Sequence, residues 1–254
     1  MISSFISGTM LEMTWTEIRQ YAEKDTAVLF PIAVVEEHGP HMPVSVDIYL
    51  SYLLARETQK RLRNSGIDSI IAPPFYWGVN GSTKHIPGSF YATRETVVAI
   101  LTDMFISLKS WGFNKIVAFS GHGESDHLSA IDDALKAVDE GTSTGVYMRA
   151  PSFGVSNYND DDDDTVDDHA GATETSIMLD YFSDNVNSEM LNSLVPTEVT
   201  YKDYSLWQKG GEYFNKTTPL GYLGDPASAA PGIGKRLIEK YMEGSIRAIV
   251  ERLK

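Results

Sequence analysis

Two short segments of the chain place acid and imidazole side chains in the same pattern. The first is Glu36-Glu37-His38-Gly39-Pro40-His41, with Asp47 further on. The second is Ser120-Gly121-His122-Gly123-Glu124. Glu36 and His38 are two apart, as are His122 and Glu124, and residues two apart in an extended chain point the same way. Aspartate, glutamate and histidine are the hard ligand set expected for Zn or Mn. The chain has no cysteine, so thiolate ligands, disulfides and a Cys nucleophile are all excluded. Together the two matched pairs and Asp47 offer two histidines (His38 and His122) and three carboxylates (Glu36, Asp47 and Glu124), about what two divalent metals sharing one carboxylate need. Such a pair turns a bridging water into hydroxide near neutral pH. The bland reading is that Asp47 caps a helix and that Ser120–Glu124 is a Gly-rich turn carrying polar residues. Either pair alone would be weak; two matching pairs, each closing a strand, are stronger.

A third segment is Asp167-Asp168-His169-Ala170-Gly171, followed by Glu174-Thr175-Ser176. His169 precedes a helix and could act as general acid for a departing nitrogen, or could be a surface residue beside an acidic loop. Glu174 could orient a ligand or favour the helix N-terminus. Of the six histidines, His41 and His127 read as supports of the ligands or as surface residues. Trp77 and Phe75 could line a pocket, although core packing is the commoner fate of aromatics. The run Asp160–Asp164 lacks the interleaved spacing and glycine of an EF-hand loop; it reads as a solvated loop.

The elements that must carry these residues alternate over the first 150 positions. Thr14 and Glu17 form a possible capping box. Ala27–Val35 is a continuous apolar run, as in a strand buried on both faces. A helix follows from Asp47 to about Arg63, with Gly66 past its end. Ile70–Ala72 is a short strand stopped by Pro73 and Pro74. Thr93–Trp111 is an amphipathic helix with Val97, Ile100, Leu101, Met104, Phe105 and Leu108 on one face. Lys115–Phe119 and Val146–Arg149 are strands on either side of a helix from Asp126 to about Asp139. Residues 151–168 read as a loop, Thr173–Phe182 as a helix and 195–231 as largely irregular. Gly232–Leu253 is a helix with a possible break near Gly244. The alternation argues for α/β architecture, a mostly parallel sheet with helices on both faces, in one domain spanning residues 1–254. In such sheets ligands bind beyond the carboxyl ends of the strands, where the first two segments fall.

With 42% hydrophobic and 22% charged residues, the composition is that of an ordinary globular protein. The formal charge of −14 disfavours nucleic acid and anionic membranes as partners. The lack of disulfides and of a recognisable secretion signal favours the cytoplasm.

The separated motifs, in their order, resemble the creatininase family. Glu36-Glu37-His38-Gly39-Pro40-His41 up to Asp47 is similar to its E-x-H-G-P-H…D signature, and Ser120–Glu124 to its N-G-H-x-E motif. His169-Ala170-Gly171 with Glu174-Thr175-Ser176 resembles H-x-G-x-x-E-T-S; His85-Ile86-Pro87-Gly88 resembles H-F-P-G; Gly224-Asp225-Pro226 resembles the C-terminal G-D-P region. The resemblance implies a three-layer α/β/α sandwich, two divalent ions (Zn, Mn or both) and a homohexamer. It implies Glu36, Asp47 and His122 on one metal, His38, Asp47 and Glu124 on the other, and His169 as acid/base beside them. Glu124 would share in catalysis, while His85, Glu174, Asp168 and Trp77 would support the site or line its pocket. It implies hydrolysis of cyclic or open amides or formamides, with a small-molecule amide as substrate. Ser120 stands where the family often has Asn, Glu37 where it has Gln, and no Trp lies between Trp111 and Trp207. These departures weigh against creatinine as the natural substrate. Two alternatives stand beside this reading: a deformylase acting on a nucleotide-like precursor, and a non-catalytic metal- or ligand-binding module.

Overall fold

The computed structural model describes residues 6–139, 145–153 and 164–254. The run Asp160–Asp164, read as a solvated loop, lies outside the described residues except for Asp164. The elements in order are α1 Trp15–Ala22, β1 Ala27–Ile32, α2 Val46–Asn64, β2 Ser69–Ile71, α3 Arg94–Ser110, β3 Lys115–Ser120, α4 Ser125–Asp139 and β4 Val146–Arg149. They continue with α5 Ala172–Tyr181, α6 Ser188–Leu191, α7 Tyr201–Trp207, α8 Gly211–Thr217 and α9 Ile233–Leu253.

The four strands form a parallel sheet in the order β2-β1-β3-β4. Alternate strand residues supply opposite cores. Ala27, Leu29, Ile71, Val117 and Phe119 pack with α2, α5 and α9 on one face. Val28, Phe30, Ile32, Ile116 and Ala118 pack with α3 and α4 on the other. A strand covered on both faces needs apolar residues at every position, which explains the unbroken run in β1. The result is the expected three-layer α/β/α sandwich. Leu50, Leu53, Leu54 and Leu62 fasten α2 to the sheet and are essentially inaccessible; truncating any one to alanine costs about 2–5 kcal/mol.

β1 ends earlier than the run Ala27–Val35 suggests. Past Ile32 the regular ladder gives way to single contacts: the Ala33 amide donates to the Phe75 carbonyl at 2.8 Å, and Val34 makes an isolated bridge to Trp77. Pro31 is tolerated inside a central strand because β2 has already ended on that side. There its carbonyl accepts from the Phe75 amide of the following segment. A capping box at Thr14 and Glu17 opens α1 as read from the sequence. On α3 only Val97, Leu101, Phe105 and Leu108 are buried, whereas Ile100 and Met104 are exposed. The stripe touching α4 and the sheet is thus narrower than the apolar spacing suggests. The stretch 195–231 contains two short helices, α7 and α8, anchored by the buried Trp207 and Phe214. α9 runs through Gly244 without a break.

β1 connects by α2 to β2 on one side of it, and the chain then returns to β3 on the other. The strand order reverses between β1 and β3, which opens a crevice beyond their carboxyl ends. Both acid/histidine segments emerge there.

Candidate metal centre

Ser51 on α2 ties the two strand ends together. Its hydroxyl donates to the Ile32 carbonyl at 3.0 Å and accepts from the Gly121 amide at 2.7 Å. Asp47 lies one turn earlier on the same helix and is therefore carried to both segments. It is not an N-cap: it sits within the first turn of α2, buried, and Ser45 at the cap position makes no side-chain capping bond. The Glu36 amide donates to the Val44 carbonyl at 3.0 Å, closing the loop that brings Glu36, His38 and Asp47 side by side.

Three side-chain groups converge, each with its donor atoms within 4.8 Å of one another. One is Glu36, Asp47 and His122; the second is His38, Asp47 and Glu174; the third is Glu36, His38 and His169. His122 Nδ1 lies 3.0 Å from Glu36 Oε2 and 3.2 Å from Asp47 Oδ2. His38 Nε2 lies 3.4 Å from Asp47 Oδ1 and 3.5 Å from Glu174 Oε2. His38 Nδ1 faces the Glu36 carbonyl at 3.1 Å; a carbonyl only accepts, so Nδ1 carries a hydrogen and Nε2 is the atom turned to the carboxylates. Glu36 Oε2, His38 Nε2 and Asp47 Oδ2 are nevertheless buried without a hydrogen-bond partner. Close approach without hydrogen-bond alignment, among buried acids and imidazoles, suits ligands aimed at a cation between them.

Charge tells the same story. Burial and the neighbouring His169 push His38 down, but Asp47 and Glu174 outweigh them and hold it at about 9. Burial also opposes protonation of His122 and His169. The carboxylates of Glu36 and Asp47 prevail at His122, and those of Glu36, Glu37 and Glu174 at His169, so both are raised well above the usual value. Burial pushes Glu174 up to about 7, helped by the charges of Asp47 and Asp168. Protonated imidazoles fill the positive role that a divalent ion would take.

Glu124, assigned from the resemblance to the second metal, is not within that group. The carboxylate beside His38 and Asp47 is Glu174. Glu124 Oε2 instead accepts from the amides of Gly81 and Ser82 at 2.7 and 3.3 Å and lies 3.9 Å from His122 Nε2. Glu174 also accepts from the Ala170 amide at 2.7 Å, and Ala170 is held in a left-handed conformation at φ 52°. Bond and strained residue together set the turn that presents His169. His169 Nε2 meets Glu37 Oε1 at 3.2 Å, and its Nδ1 faces Glu36 Oε2 at 3.9 Å. This contact joins residues 132 positions apart, and nothing in the sequence pairs them.

A cavity of about 750 Å³ opens over the centre. It is lined by Glu36, Asp47, His122, Glu124, Asp168, His169 and Glu174 among others, with Phe153, Tyr201, Tyr204 and Trp207 as aromatic walls and no lysine or arginine among the described residues. Sequence reasoning did not single out Tyr201, Tyr204 and Trp207; their only signal was aromatic spacing of three. His85 and Trp77 are not among the lining residues. His85 bonds Asn215 at 2.7 Å on the exposed rim of α8, and Trp77 is 47% exposed against Phe90. His41 and His127 are both buried. His41 Nε2 lies 2.9 Å from Thr175 Oγ1, and His127 Nδ1 accepts from the Val79 amide at 3.3 Å.

The creatininase family, described as creatinine amidohydrolase, matches residues 11–249. A mycofactocin precursor peptide peptidase from Mycolicibacterium smegmatis is 26% identical over 230 residues, covering 89% of this chain and 85% of that protein. A creatinine amidohydrolase from Pseudomonas putida is 23% identical over 257 residues, covering 94% of this chain and 95% of that protein. A solved structure described as manganese creatininase superposes with TM-score 0.76 at 22% identity, covering 97% of this chain and 99% of the other. With the motifs in order along one shared fold and the family match running almost end to end, this chain belongs to the creatininase family of amidohydrolases.

Proposed function

We propose that the protein is a dinuclear metal-dependent hydrolase of an amide C–N bond in a small molecule. The observation that carries this reading is that Asp47 belongs to two buried three-donor groups at once. Glu36, Asp47 and His122 would hold one divalent ion; His38, Asp47 and Glu174 would hold the other. Zn and Mn both suit this set. Ions bound there would polarise an amide carbonyl and activate water. Around them, the chain supplies proton transfer and walls. A carboxylate can only accept, so the contact between Glu37 and His169 commits Nε2–H of the imidazole. Nδ1 is then the atom that exchanges a proton with the departing nitrogen. Glu124 braces the Gly81–Ser82 turn at the cavity edge. Tyr204 donates to Asp168, holding that carboxylate beside His169. Phosphorylated substrates find no lysine or arginine among the described residues of the cavity lining, which weighs against a nucleotide-like precursor.

A second reading, cleavage of a peptide-derived amide, is favoured by the relative named mycofactocin precursor peptide peptidase. The cavity of about 750 Å³ is within the usual range for a drug-sized ligand and takes either a cyclic amide or the end of a short peptide. The test is turnover by the metal-loaded protein on a panel of cyclic amides, formamides and short peptides. Cleavage of cyclic amides or formamides supports the first reading. Cleavage of peptides alone moves the assignment to the second. Metal binding with no turnover on any of them leaves a binding module.

A further inference from the structure

The two oxygens of Glu36 have different surroundings. Oε2 points to His122 and Asp47 and has no hydrogen-bond partner, whereas Oε1 accepts from the Thr83 hydroxyl at 2.6 Å. Thr83 and Asn80 are both completely buried. The Thr83 hydroxyl has one hydrogen and two acceptors in reach, Glu36 Oε1 and Asn80 Oδ1, the latter at 2.7 Å. A charged acceptor takes the hydrogen in preference to a neutral amide, and 2.6 Å is typical of a hydroxyl on a carboxylate. The Asn80 side-chain amide packs against the same hydroxyl at 2.7 Å and the Thr83 backbone amide at 3.4 Å, which holds the turn from 80 to 83 in shape. The same turn is gripped from outside by Glu124 on the amides of Gly81 and Ser82. Thr83 is therefore fixed by its own backbone before it touches Glu36.

We propose that Thr83 is a positioning residue for the metal centre: its hydroxyl fixes Oε1 of Glu36 so that Oε2 is the atom offered to the ion held with Asp47 and His122. The inference rests on the metal-centre reading above and adds an assignment outside the ligand set. Its consequence is selective. Loss of the hydroxyl frees Glu36 to rotate, and the site with His122 weakens. The site with His38 and Glu174 shares only Asp47 with it and is affected far less.

The test is Zn²⁺ titration of the chelator-stripped protein against a chromophoric competing chelator, on wild type, Thr83→Val and Thr83→Ser. Valine keeps the shape and removes the hydroxyl; serine keeps the hydroxyl. The expected result is two binding phases in wild type and in Thr83→Ser. In Thr83→Val, one phase weakens about 10–100-fold, the range for losing a partner of a metal ligand, while the other moves much less. The cycle with Glu36→Gln closes the argument: if Thr83 acts through Glu36, Thr83→Val weakens binding less in that background than in wild type. Should Thr83→Val not fold, Thr83→Ala enters the same cycle. Two wild-type phases that Thr83→Val leaves intact, or weakens equally, overturn the assignment while preserving the dinuclear reading. A wild type that binds no Zn²⁺ overturns both.

Discussion

Each residue of the centre has a separable expected effect. His122→Ala removes the imidazole that faces both Glu36 and Asp47, so metal retention and activity should fall together. His169→Ala should keep the metals and lose about 10²–10⁴-fold in turnover, the usual weight of a general acid or base; full activity in that variant would sink its assignment. Metal affinity should rise with pH. His38 holds a proton up to about 9 in the metal-free protein, and an ion must displace it, so affinity weakens about tenfold per pH unit for each proton displaced below that value. Titration with Zn²⁺ at pH 6, 7 and 8 reads this directly, and a flat profile contradicts it. Most of these residues were legible in the sequence because pairs two apart at strand ends share a side. The exchange of Glu124 for Glu174 beside His38 was not, because it depends on how α5 is rotated toward α2. Nor was the contact between Glu37 and His169, which only folding brings about.

The elements decide whether those side chains meet. Gly121 lies where β3 turns into α4, and a Cβ there would stand 2.7 Å from Leu50 Cβ and 2.8 Å from the Asp47 carbonyl. Gly121→Ala should push α2 away from β3, lowering thermal stability and metal affinity together. A variant with native metal affinity would show that this approach does not set the centre. Gly221 has φ 75°, and a Cβ there would overlap Glu37 Oε2 at 1.9 Å; its replacement by alanine should disturb His169 through Glu37. Gly244 is the opposite case, with open space around it in the middle of α9. Gly244→Ala should stabilise by about 0.5–1 kcal/mol, seen as a raised Tm; a lowered Tm would mean that α9 is not regular there. The long elements were legible because burial on both faces of β1 and β3 leaves unbroken apolar runs. α7 and α8 were not, because a seven-residue helix with one buried anchor has no repeat to detect. Ile100 and Met104 misled because apolar spacing records what a helix could bury, not how wide its neighbours are.

At the scale of the whole molecule, no helix among the described residues is long and apolar enough to cross a membrane. Two buried histidines outside the ligand groups couple the fold to pH. Burial, with His122 as a nearby positive charge, holds His127 at about 3; burial and His38 hold His41 at about 4. Between those values and the ordinary value of about 6.5 the unfolded chain binds protons that the folded chain refuses. Stability therefore falls as pH drops below about 6.5, by up to about 1.4 kcal/mol per pH unit for each histidine. Urea midpoints at pH 7, 5.5 and 4.5 should decline more steeply in wild type than in His127→Gln, and equal slopes would show that His127 does not carry this coupling. A mostly parallel sheet covered by helices on both faces followed from the alternation of elements; the strand order β2-β1-β3-β4, and with it the crevice between β1 and β3, did not. The aromatic wall of the cavity did not, since α7 reaches it only through the tertiary path of residues 164–223.

Elemental analysis of protein purified without chelators tests the central claim most directly. The shared position of Asp47 predicts close to two equivalents of Zn, Mn or both per chain, falling in His122→Ala. A chain that carries no metal, and takes up none when Zn²⁺ or Mn²⁺ is added back, would contradict it.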